Sequence, residues 1–295
     1  MKIKYFFSIA LILLFSSLSE ASLKILATYP YLAEITKQIV KKEHEVIALA
    51  GGNVDPHFVI AKPSLIALAR RADLLISNGA ELEVGWLPQV IRQANNPKIV
   101  EKNFLEASKS VELIERPVEL SRDLGDIHPE GNPHFHLDPY NLIPIADAIT
   151  DKLCEIDAQG CNFYRENNNA FKLAWKTQLS KWDQAGNLIR GKKVVQYHTL
   201  FNYLFRRYGV ETIGTIEPLP GIPPSTSHLE KLAEKIRSTR PYLIIQSVYH
   251  SQKASKMLSE RTGVPFVVIP HDVNATEEAK DLYSLFDVIF QRLLR

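Results

Sequence analysis

The sequence predicts an α/β protein of two (βα) lobes with parallel-type sheets, joined by one long rigid helix. Three observations predict it. Short β-like runs alternate with helical segments in the first half of the chain, and the alternation starts afresh after Gly191. Between the halves runs a helical pattern from about Asn162 to Leu188 with no internal proline. Three histidines and an aspartate, His57, His134, His198 and Asp272, stand in proline-marked turns or just beyond strand-like runs, two in each half. Ligand sites of open α/β sheets cluster at the carboxyl ends of strands, so these four residues mark an inter-lobe cleft.

In the first half, Leu23–Ala27 reads as a strand, Tyr31–Lys41 as a helix and Glu45–Ala50 as a second strand. A helix at Pro63–Arg71, a strand at Asp73–Ser77, a helix at Val84–Ala94 and a short strand near Lys98–Val100 follow. Ser121–Asp138 is a polar loop rich in Asp, Gly, His and Pro, and a helix is expected at Pro139–Ile156. The long helix carries Phe163, Ala170, Leu173, Ala174, Leu179, Trp182 and Leu188 as a roughly helical stripe, with Gly186 its weak point. In the second half, strands at Lys193–Gln196, Glu211–Ile216, Leu243–Gln246 and Phe266–Ile269 are expected. They alternate with helices at Leu200–Tyr208, Ser227–Arg237, Gln252–Thr262 and Ala279–Leu294. The expected division is an N-terminal lobe at 22–160, a connecting helix at 161–190 and a C-terminal lobe at 191–295. The lobes share a plan but no sequence repeat.

Residues 1–21 have the layout of a secretory signal: Lys2 and Lys4, an apolar run from Tyr5 to Leu18, and small residues before a cleavage site after Ala21. No cysteine follows the apolar run, which argues against a lipid anchor. No second long apolar stretch occurs, so the mature chain is expected to be exported, periplasmic and free of membrane insertion. Removing Lys2, Lys4 and Glu20 changes the formal net charge from +2 to +1. A balanced chain without a basic block offers no footprint for nucleic acid. Cys154 and Cys161 are the only cysteines. In an exported chain they are expected to form a local disulfide, since no further ligand lies beside them at zinc-finger spacing.

Three neutral imidazoles and a carboxylate make a closed four-ligand shell suited to Zn²⁺ or a similar divalent ion. Each residue has an ordinary alternative. His57 in Asp55-Pro56-His57 could be a solvated loop residue, and His198 a helix cap or a satisfied buried histidine. His134 in Asn132-Pro133-His134 shares its loop with His128 and His136, and His136 should point away from His134 in an extended segment. Asp272 could simply cap a helix, and its neighbour His271 could replace it as a ligand. His228 and His250 are expected to be exposed. The metal reading rests on all four meeting at strand ends of both lobes. Its rival is a zinc hydrolase in which His57, His134 and His198 hold the metal and water takes the fourth position. No His-Glu-x-x-His and no phosphate-binding glycine loop is present.

Asp55-Pro56-His57, Asn132-Pro133-His134 with Leu137-Asp138-Pro139, Val195-Gln196-Tyr197-His198 before an aromatic helix ending Tyr208-Gly209, and the strand-end Asp272 occur in that order. This pattern resembles the metal-receptor proteins of ABC-type zinc and manganese importers, the ZnuA/TroA-like solute-binding proteins, from about Leu23 to Arg295. The resemblance implies two α/β lobes around one long helix, with the ion held between them by His57, His134, His198 and Asp272. It also implies a monomeric, non-enzymatic receptor that passes its cargo to a membrane permease powered by a separate ATPase. Histidine at the third position favours Zn²⁺ over Mn²⁺ as the cargo. Two departures from many zinc members are visible: no long His-rich acidic loop, and Asp272-Val273 where Asp-Pro is usual.

Overall fold

Two four-stranded sheets, both wholly parallel, organise the chain. The computed structural model describes residues 22–117 and 128–295, so the expected secretory signal and part of the polar loop lie outside the described residues. The first sheet contains β1 (Lys24–Ala27), β2 (Glu45–Ala48), β3 (Leu74–Ser77) and β4 (Phe104–Glu106) in the order β2-β1-β3-β4. The second contains β5 (Lys193–Gln196), β6 (Glu211–Thr215), β7 (Leu243–Ser247) and β8 (Phe266–Ile269) in the order β6-β5-β7-β8. The two orders are the same plan. Strands covered on both faces read as unbroken apolar runs, and Leu74-Leu75-Ile76-Ser77 and Leu243-Ile244-Ile245-Gln246-Ser247 are buried at every position. The edge strands β2, β4, β6 and β8 are only partly buried.

Helices cover the sheets: α1 (Pro30–Val40), α2 (Pro63–Ala69), α3 (Leu87–Ala94), α4 (Pro97–Glu101) and α5 (Leu142–Ile156) in the first half. The second half has α7 (Asn202–Tyr208), α8 (Thr226–Thr239), α9 (Gln252–Thr262) and α10 (Leu282–Leu293). The strand expected near Lys98–Val100 is instead the short helix α4. Asn96 accepts the Lys98 N–H as its cap and Pro97 opens it, a helix-start signature that overrides the β-branched pair Ile99-Val100. The strand itself falls later, at β4.

Between the halves runs α6 (Cys161–Leu188), 28 residues long. Its buried face is Tyr164, Asn168, Phe171, Trp175, Leu179, Trp182 and Gly186, spaced by threes and fours. The expected stripe was partly misplaced: Phe163, Leu173 and Leu188 are exposed. Counting apolar residues passed over Asn168, which is buried because its amide donates to Asp147 at 2.7 Å. The helix is pinned to both lobes. Trp175 donates its indole N–H to the Pro139 carbonyl at 2.8 Å, and Trp182 donates to Asp287 of α10 at 2.8 Å. The Cys154–Cys161 disulfide ties the end of α5 to the start of α6.

The lobes are held together by more than this helix. Arg207 of α7 forks onto both carboxylate oxygens of Asp138, at 2.5 and 2.7 Å. Tyr203 donates to the Asn132 carbonyl at 2.6 Å, and Asn132 donates to the Thr199 carbonyl at 2.9 Å. One contiguous apolar core includes residues of both sheets. Such a joint favours small shifts over wide hinge opening.

Candidate metal centre

The Asp55-Pro56-His57 and Asn132-Pro133-His134 steps fold as the same local device. Asp55 Oδ1 accepts the His57 N–H at 3.0 Å, and Asn132 Oδ1 accepts the His134 N–H at 2.9 Å. An Asx side chain bonding the backbone two residues on makes a tight turn, and the intervening proline fixes its φ. Each turn therefore projects its histidine in a set direction. The chain repeats the device at Asp138-Pro139-Tyr140, which caps the 3-10 turn Pro139–Asn141 just before α5 (3.0 Å). His198 arrives differently, one residue beyond Tyr197 at the carboxyl end of β5. Gln196 holds that corner by accepting the Phe201 N–H at 3.0 Å and donating to Asn202 and Thr212 at 2.6 and 2.7 Å.

The three imidazoles meet. One ligand atom from each of His57, His134 and His198 lies within 4.8 Å of the other two. His134 and His198 are almost fully buried, and their Nε2 atoms approach to 3.3 Å. Ring centroids are separated by 5.2 Å (His57–His134), 5.4 Å (His57–His198) and 5.3 Å (His134–His198). Zn–N bonds of about 2.0–2.1 Å place an ion roughly 3.2 Å from each ring centre, and tetrahedral ligands then lie about 5.2 Å apart, centre to centre. The cluster has the dimensions of three corners of such a site.

Two carboxylates settle which nitrogen faces inward. His57 donates Nδ1–H to Asp55 at 2.8 Å, and His198 donates Nδ1–H to Glu217 at 2.9 Å. The Nε2 lone pairs are thereby left toward the cluster, and His57 Nε2 is buried without a partner. Burial, and then the neighbouring imidazoles His57, His198, His128 and His136, hold His134 well below the usual histidine range. Burial pushes Asp55 upward, but the hydrogen bonds and charge of His57 outweigh it and hold the carboxylate below its ordinary value. The centre thus turns imidazole nitrogens inward, two of them backed by carboxylates. Asp55 and Glu217 were not singled out in the sequence, although the Asx-Pro-His turn carries the first and a strand end carries the second.

Asp272 does not join the cluster. It is 4 % exposed, and its Oδ1 accepts the Val273 N–H at 2.6 Å. It also accepts the Tyr31 backbone N–H in the first turn of α1, in the other lobe, so it caps that helix across the lobe boundary. Burial holds its carboxyl well above the usual range despite these two bonds. His271 is also occupied: Nδ1 pairs with the Ser247 hydroxyl at 2.7 Å and Nε2 with the Val54 carbonyl at 3.2 Å. His136 is turned away from His134, donating to the His271 carbonyl at 2.9 Å and stacking on Tyr31 with ring centres 4.4 Å apart. His228 and His250 are half-buried rather than exposed. His228 donates to the Thr215 carbonyl, and His250 stacks on Tyr197 with ring centres 4.0 Å apart, at the edge of the site.

Two parallel α/β sheets sharing one core, with a buried cluster of three imidazoles between their strand ends, define a metal-binding substrate receptor. The family model for the zinc-uptake complex component A, periplasmic (ZnuA), matches residues 25–293, and the chain belongs to that family. Members are metal ABC-transporter substrate-binding proteins, not enzymes, which leaves the zinc-hydrolase reading without support. The chain is 30 % identical to the manganese ABC transporter substrate-binding lipoprotein PsaA of Streptococcus pneumoniae over 283 residues, 92 % of this chain and 87 % of that protein. It is 25 % identical to the high-affinity zinc uptake system protein ZnuA of Bacillus subtilis, covering 92 % of this chain and 85 % of that one. Among solved structures, a zinc-bound ZnuA deletion mutant superposes with a TM-score of 0.78 at 21 % identity, over 92 % of this chain and 97 % of that one. A manganese-bound periplasmic metal-binding protein from Candidatus Liberibacter asiaticus gives 0.75 at 17 % identity, with the same coverage. These likenesses support the fold. No helix among the described residues is long and apolar enough to cross a membrane.

Proposed function

We propose that the chain is a periplasmic receptor that captures Zn²⁺ between its lobes through His57, His134 and His198 and delivers it to the permease of an ABC importer. The observation that carries this reading is the convergence of three imidazoles, two of them backed by carboxylates, at the spacing of a zinc site. Imidazole-rich sites suit Zn²⁺, whereas oxygen-rich sites suit Mn²⁺. Residues 22–160 and 191–295 serve as the two lobes and 161–190 as the strut between them. The secretory pattern of residues 1–21 and the family's periplasmic description support export.

Ring nitrogens gathered this closely are poorly satisfied by one another, since His57 Nε2 and His134 Nδ1 are buried without partners, and a bound cation supplies a partner for the inward nitrogens. Release then requires one ligand-bearing turn to move. The proposal is tested by titrating metal-free mature protein with Zn²⁺ against a competing chelator. Binding of one equivalent that is lost in His198→Ala supports it, and wild-type affinity in that variant sinks it.

A further inference from the structure

We propose that His128, not Asp272, supplies the fourth nitrogen that closes the metal shell; the inference rests on the receptor reading above. Among the described residues, neither ring nitrogen of His128 has a hydrogen-bond partner, although both are buried. Buried imidazole nitrogens normally find partners, so an orphaned pair calls for a ligand. The His128 ring centre lies 5.3 Å from that of His57, the same spacing that relates the three clustered histidines to one another. Its interplanar angle to His57 is 33°, and His57 is the member of the cluster it touches.

Its position fits the role. Three cavities border the cluster: one of about 370 Å³ containing His57, one of about 260 Å³ containing His134 and His198, and a smaller one of about 90 Å³ containing His57 and His198. His128 lines the two larger ones, and closing a tetrahedron requires its ring to rotate toward the three Nε2 atoms. The carbonyl of Ala80 lies beside its ring, where it can take the N–H of the non-ligating nitrogen. Asp272 lacks these features: its carboxylate is engaged by the backbone of Val273 and Tyr31. A fourth ligand at the mouth also differs in kind from three ligands set by rigid turns. It is the group that can leave first when the cargo is passed on.

The test combines zinc affinity by chelator competition with X-ray absorption at the zinc edge, on the mature chain. Wild type, His128→Ala, His128→Gln, His198→Ala and Asp272→Asn are compared. The inference expects four imidazoles around zinc in wild type and three in both His128 variants. Zinc affinity should fall about tenfold or more in the His128 variants, as for loss of a group that tunes a metal site, while Asp272→Asn keeps the wild-type coordination. Three imidazoles in wild type, with His128→Ala unchanged in affinity and spectrum while His198→Ala fails to bind, overturns the inference alone. No zinc binding by wild type overturns the receptor reading and this inference with it.

Discussion

Glu217 does not belong to the three-histidine cluster, yet its removal should weaken metal binding. Its Oε2 accepts Nδ1–H of His198 at 2.9 Å, and both side chains are largely shielded, at 16 % and 6 % exposure. That bond fixes the tautomer, aims Nε2 at the cluster and raises its basicity as the ion draws charge from the ring. Loss of such an outer partner costs about 10- to 100-fold in affinity, which is roughly 1.4–2.7 kcal/mol. Glu217→Gln keeps an acceptor oxygen opposite Nδ1 and removes the charge, so it should lie near the tenfold end. Glu217→Ala frees the ring to choose either tautomer and should lie near the hundredfold end. Chelator competition with Zn²⁺, together with circular dichroism to verify folding, reads both. Wild-type affinity in Glu217→Ala would refute the claim that this carboxylate organises the site.

Further predictions follow from the same geometry. Protons compete with metal for imidazoles, so affinity falls as pH drops below the usual histidine value of about 6.5. Burial keeps His134 neutral well below that pH, so zinc binding should displace at most about two ligand protons between pH 7 and 5; a slope of three in log Kd against pH contradicts the assignment. Gly52 packs against the opposite lobe so closely that a Cβ would lie 1.8 Å from the Val273 carbonyl oxygen. Gly52→Ala should therefore cost about 3 kcal/mol of stability by overpacking backbone against backbone, and weaken zinc binding by displacing the loop of His57. Thermal unfolding and the zinc titration check both effects. A Cβ on Gly186 would meet the ring of Tyr208 at 2.2 Å, so Gly186→Ala should destabilise by about 1–3 kcal/mol in a denaturant melt, with a wild-type midpoint as the contrary result.

Much of this architecture was legible because the relevant signals are local. The alternation of apolar runs marked all the strands but one, and Asn96-Pro97 shows why that one failed: a cap and a proline outvoted two β-branched residues. The long helix is legible, but an apolar count draws its buried face through Leu173 and Leu188, which are exposed, because hydrophobicity alone does not reveal that the Asn168 amide donates to Asp147. His57 and His134 could be read from their Asx-Pro-His turns, which are short-range devices. Asp272 could not be placed from sequence, since its partners, Tyr31 and Val273, include a residue about 240 positions away in the other lobe. Glu217 was equally hidden: nothing near Ile216-Glu217-Pro218 announces that the side chain reaches His198. Long-range pairings of this kind are set by topology, and a residue's type does not disclose them.

The central claim is that the cluster is a zinc-selective capture site. The most direct measurement is titration of the metal-free mature protein with Zn²⁺ and Mn²⁺ in parallel, each in competition with a chelator. The account predicts one tight zinc equivalent, much weaker manganese, and loss of zinc binding in His198→Ala. Tight manganese binding with weak zinc, or no tight binding of either, would contradict it.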